Sequence, residues 1–108
     1  MKNYKIVVFV PVTHATELRE AMGDAGGGIV GNYSYCTFGV RGVGRFLPNE
    51  GANPTIGEVG TLQAVDEERF ETGCSEDNLQ EVLSAIRAVH PYEEPVIDVY
   101  LLEDVTGL

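Results

Sequence analysis

The chain has 108 residues, 44% hydrophobic and 22% charged, which fits one globular domain whose core needs neither disulfides nor metal. Its formal charge is −10 and its seven basic residues are scattered, with only Arg41 and Arg45 close together. No basic stripe exists to seat a phosphate backbone, which argues against nucleic acid as a direct partner.

Ile6 to Val10 is a continuous apolar run rich in β-branched residues and closed by Pro11, the pattern of a central strand. It is too short for a signal-peptide core with its cleavage site, or for a membrane span. The chain therefore reads as cytoplasmic, with no membrane partner and with Cys36 and Cys74 as reduced thiols. Thr13-His14 opens a helix in which Leu18, Ala21, Met22 and Ala25 recur at helical spacing, weakened locally by Gly23 and ended by Gly26-Gly27-Gly28. Ile29 to Val40 reads as the second strand, with Tyr33 and Tyr35 on one face and Cys36, Phe38 and Val40 on the other.

A segment studded with glycine and proline runs from Arg41 to Gly60, followed by a short strand at Leu62 to Ala64. Asp66 to Cys74 alternates as the third long strand, with Glu68, Phe70, Thr72 and Cys74 on one face. Ser75 or Asp77 caps a second helix carrying the stripe Leu79, Val82, Leu83, Ile86 and Val89. His90-Pro91-Tyr92-Glu93-Glu94-Pro95 then turns into a last strand, Val96 to Leu102, in which Ile97, Val99 and Leu101 face one way.

This order makes residues 1–108 a single α+β domain. Right-handed crossovers give a ferredoxin-like βαββαβ sandwich, with two helices on one face of an antiparallel sheet ordered 4-1-3-2. That topology brings Pro11 to His14, His90 to Pro95 and the Arg41–Gly60 loop to one edge, and with them the chain's only two histidines. His14 and His90 with Glu93 or Glu94 are a mixed N and O donor set that suits zinc or copper, with Tyr92 steering the imidazoles. Equally, His14 simply starts one helix and His90 bonds to carbonyls at the end of the other. The long loop offers Asn49, Glu50, Asn53 and Glu58 between prolines as a ligand or interface surface. It is no phosphate loop, since no Gly-Lys-Ser/Thr follows its glycines. Cys36 and Cys74 read as structural, and no nucleophile–histidine spacing or isolated carboxylate pair points to catalysis.

Ile6-Val7-Val8-Phe9-Val10-Pro11 with His14, Gly31-Asn32-Tyr33 with Cys36, the run Phe46 to Pro54 with Ile56 to Gly60, and His90 to Pro95 together resemble the YqfO-type proteins of the NGG-interacting-factor-three family. The match is to that family's inserted domain, whose fold is like the PII signalling and CutA ion-tolerance proteins. The resemblance implies self-association, a trimer before a dimer, with ligands near the base of the long loop. The family's dinuclear metal hydrolase-like part lies in flanking segments absent here, so no enzyme activity carries over to a domain standing alone. The expected function is binding of a divalent metal or small ligand at the histidine edge. The alternative is a protein–protein interaction or oligomerisation module with structural histidines and no ligand.

Overall fold

The computed structural model describes residues 1–108. Its elements are β1 (Asn3–Pro11), α1 (Ala15–Asp24), β2 (Thr37–Phe46), β3 (Gln63–Ser75), α2 (Leu79–Val89) and β4 (Ile97–Leu101), with a single 3-10 turn leading into each helix. The sheet is antiparallel in the order β2-β3-β1-β4, the expected ferredoxin-like arrangement.

Alternation along β1 sends Ile6, Val8 and Val10 to the helices. There they meet Leu18 and Met22 of α1, Val82 and Ile86 of α2, and Phe70 and Cys74 of β3 in one buried core. The stripe expected on α2 packs as read, with Leu79, Leu83 and Val89 at the margin of that core. Helix α1 stops where Gly26, at φ 101°, lets the Gly26 and Gly27 amides donate back to the Gly23 and Met22 carbonyls, closing the helix without a side chain. Neither Ser75 nor Asp77 caps α2; the turn Glu76–Asn78 leads into it instead. Asn78 donates its Nδ2 to the Gly26 carbonyl at 3.3 Å and so ties the two helix ends together.

The second strand starts later and runs further than the sequence pattern suggests. Positive φ at Gly28, Gly31 and Tyr35 breaks the run from Ile29 into a small turn closed by reciprocal Val30–Tyr33 backbone bonds. Tyr35 is therefore not on the sheet. Its ring lies where a Gly23 side chain would be, and its hydroxyl donates to Asp24 at 2.6 Å. Cys36 sits half-buried just ahead of the strand rather than facing the core. At the other end, Arg41 to Phe46 is extended, pairing from Thr37↔Thr72 through Phe46↔Gln63. The third strand is one piece, absorbing the short strand expected at Leu62 to Ala64. The β2–β3 hairpin runs beyond the end of β1 pairing at Glu67, which makes the molecule long, 50 × 23 × 23 Å.

The helices cover one face of the sheet only. The other face carries Val7 and Phe9 of β1, Phe38 and Val40 of β2, Glu67, Arg69 and Glu71 of β3, and Asp98 and Tyr100 of β4.

Candidate functional site

A cleft of about 700 Å³ opens at the base of the projecting hairpin. Its floor is the end of β1 and the first half of β3, one wall is the loop after β2, and the other is the turn from Pro91 to Pro95. The loop is held across the opening by the Asn53 amide, which donates to Glu93 Oε2 at 3.2 Å.

His90 anchors the turn. It follows the last residue of α2, where Pro91 prevents the helix from continuing. Its Nε2–H donates to the Phe9 carbonyl at 2.7 Å, and its Nδ1 accepts the Tyr92 amide at 3.1 Å. A carbonyl only accepts and an amide only donates, so the ring is the neutral Nε2–H tautomer with both nitrogens engaged. Burial pushes the His90 pKa below the ordinary histidine value, against the opposing pull of the Phe9 hydrogen bond and the Glu67 charge.

Tyr92 leans on His90, ring centroids 5.2 Å apart, and stands edge-on to Phe46 at 5.7 Å. Its hydroxyl donates to Glu67 Oε2 at 2.6 Å. Burial, then that hydrogen bond and the Glu67 charge, push the phenol pKa up, so Tyr92 stays a donor. Glu67 is only 7% exposed. Its other carboxylate oxygen lies over Gly44, where any side chain would overlap it.

The four residues expected to hold a metal are not gathered as a set. His14 stays at the end of its turn with Nδ1 2.9 Å from Thr13 Oγ1, His90 has no free nitrogen, Glu93 holds the loop, and Glu94 lines the cleft. No three His, Cys, Asp or Glu side chains cluster closely enough to hold a metal ion. Of the loop residues, Asn49 and Glu50 line the cleft and Asn53 gives its backbone to the latch, while Glu58 makes a separate turn with Thr61. Sequence reasoning missed Glu67. It stands in the acidic run Asp66-Glu67-Glu68, and alternation from Phe70 assigns only Glu68 to the inner face. Gly44, two positions along β2 from the residue paired with Glu67, was the available signal.

A neutral His90 makes stability depend on pH. Above about pH 6.5 the imidazole is uncharged folded and unfolded alike. Below that value the unfolded chain takes up a proton that the folded one resists, so stability is lost as pH falls toward the lowered folded value. Urea midpoints at about pH 7.5 and 5.5 should therefore fall further for the native chain than for His90→Asn. Equal falls would show that His90 is not held neutral.

Architecture places the chain in the CutA/PII-like class of ferredoxin-like domains. CutA1 from Pyrococcus horikoshii superposes with a TM-score of 0.68 at 15% identity, over 96% of this chain and 87% of that one. That likeness establishes the fold alone. No family model matches the chain, but longer proteins do. It is 52% identical over 99 residues to the GTP cyclohydrolase 1 type 2 homolog of Halalkalibacterium halodurans, covering 92% of this chain and 27% of that protein. Against the protein of the same name from Mycobacterium tuberculosis the identity is 45% over 98 residues, 91% of this chain and 26% of that one. A Bacillus cereus protein related to NIF3 superposes with a TM-score of 0.83 at 48% identity, over 95% of this chain and 26% of that one. The chain thus belongs to the NIF3-related family as its small CutA/PII-like domain, and it spans about a quarter of the length of the relatives it matches. No helix is long and apolar enough to cross a membrane.

Proposed function

We propose that this domain binds a small organic ligand in the cleft at the hairpin base and associates with itself through the uncovered sheet face. The observation that carries the first part is the loop's return across the sheet. Leu47 to Ile56, latched at Glu93, encloses a volume typical of small-molecule sites over mixed apolar and polar walls. Phe46, Leu47, Pro54 and Ile56 supply apolar surface, and the Tyr92–Glu67 pair supplies fixed polar atoms. The second part rests on Phe38, Val40 and Tyr100, which are 65%, 50% and 53% exposed on a face that no helix covers. A closed trimer accords with the fold class, with a dimer second.

A metal at His14 and His90 would require His90 to surrender one of its two hydrogen bonds, so the geometry favours the organic ligand over zinc or copper. No catalytic step is assigned. The relatives' cyclohydrolase name describes proteins of which this chain spans about a quarter.

The test is amide chemical-shift mapping on the labelled chain against a panel of small aromatic amines, alcohols and carboxylates at millimolar concentration. Shifts should cluster at Gly44, Phe46, Ala52, Glu67 and Tyr92. A panel in which no member moves those amides would end the ligand reading.

A further inference from the structure

We infer that the cleft is selective for an organic cation: a primary ammonium or guanidinium group carried on a compact apolar or aromatic body. The inference rests on the ligand reading above and gives that ligand its charge.

Three glutamates of β3 decide it. Glu68 pairs with Arg41 at 3.7 Å, and Glu71 pairs with Lys5 at 3.9 Å and Arg69 at 3.5 Å. Glu67, the most buried of the three, has no cationic partner within ion-pair distance. Folded proteins seldom leave a carboxylate largely out of water without a countercharge. The Tyr92 hydroxyl satisfies one oxygen of Glu67. The other lies over the bare backbone of Gly44 on the cleft wall, in reach of whatever fills the space.

The surroundings carry the same sign. Glu50, Glu93 and Glu94 also line the cleft, and Arg45 is the one cationic side chain among its lining residues. A phosphate or carboxylate ligand would meet four carboxylates. A cation would meet a countercharge together with the rings of Phe46 and Tyr92, whose faces attract positive groups. An N–H donor to a carboxylate is among the stronger hydrogen bonds available, and Glu67 is held for it by Tyr92.

Benzylamine, benzyl alcohol and benzoate share one body and differ in charge, which makes them the probes. Shift titrations on the full chain should show benzylamine moving Gly44, Glu67 and Tyr92, benzyl alcohol binding more weakly, and benzoate least. Glu67→Gln keeps an acceptor for the Tyr92 hydroxyl and removes the charge, and should weaken benzylamine about tenfold and benzyl alcohol by clearly less. If that variant fails to fold, Gly44→Ala decides, because its methyl group displaces the carboxylate and should produce the same selective loss. Benzoate or benzyl alcohol binding as tightly as benzylamine would overturn the charge assignment and leave the ligand site standing. So would benzylamine affinity that both variants preserve. Silence from all three probes, when another member of the wider panel binds, also overturns it; silence from the whole panel overturns both readings.

Discussion

His90→Ala should lower the stability of the metal-free protein by about 2 kcal/mol, seen as a drop of roughly 10 °C in a thermal melt recorded in chelator. The ring joins three parts of the chain: it ends α2, its Nε2–H holds the Phe9 carbonyl of the central strand, and its Nδ1 receives the Tyr92 amide. Alanine leaves a carbonyl and an amide without partners where water has little access, and such groups cost more than the bond itself contributes. Tyr92 loses its support as well, so the Glu67 contact loosens with it. His14→Ala should change the melt far less, because the one side-chain hydrogen bond of His14 is to its neighbour Thr13 and joins no distant parts of the chain. The pair of variants separates two roles for the histidines. A His90→Ala protein that melts like the native chain in chelator, yet no longer gains stability from added zinc, would make His90 a metal ligand rather than a brace.

Glutamate at both Phe38 and Val40 should dissolve the self-associated form, weakening it by at least about thirtyfold, the equivalent of one interface hot spot. The two side chains stand on the uncovered face of β2, opposite Glu71 and Arg69. Neither contributes to the core between sheet and helices. Far-UV circular dichroism should therefore be unchanged while sedimentation velocity reports a monomer. A native chain that is monomeric at micromolar concentration would remove the assembly reading outright. A double variant that stays assembled would move the interface to another surface.

Most of the fold was legible because its strongest signals are local. The run Ile6 to Val10 and the stripe Leu79, Val82, Leu83, Ile86 and Val89 each bury where their spacing says they should. Sheet order then followed from chain topology. The second strand was less legible because its boundaries are set from outside. Tyr35 leaves the extended conformation to lie against Gly23, and the glycines at 39, 42 and 44 remain in register because β3 holds them. A glycine in mid-helix and glycines in mid-strand look like breaks in a sequence, and here Gly23, Gly39 and Gly44 are places where another side chain passes close. The site was legible in its location. Both histidine segments and the long loop meet at one end, as the topology requires. Its chemistry was not, since the satisfaction of His90 depends on a carbonyl 81 positions away, and the isolation of Glu67 depends on which cations its neighbours take.

The placement of β1 bears on how the chain folds. As the central strand it joins residues far apart in sequence, with Ile6 opposite both Thr72 and Val99. Closing those contacts is entropically slower than closing the β2–β3 hairpin, whose partners, from Phe46↔Gln63 to Thr37↔Thr72, lie closer in sequence. The domain's first strand is therefore completed last. Through synthesis, Ile6 to Val10 emerges as an apolar segment of high β-propensity, with neither of its partner strands present until Gln63–Ser75 follows and one edge still open until Ile97–Leu101 arrives. Lys2 and Lys5 before it and Pro11 after it flank this segment as charge and proline do around aggregation-prone stretches. Replacing them would be felt in yield and solubility before it was felt in the folded state.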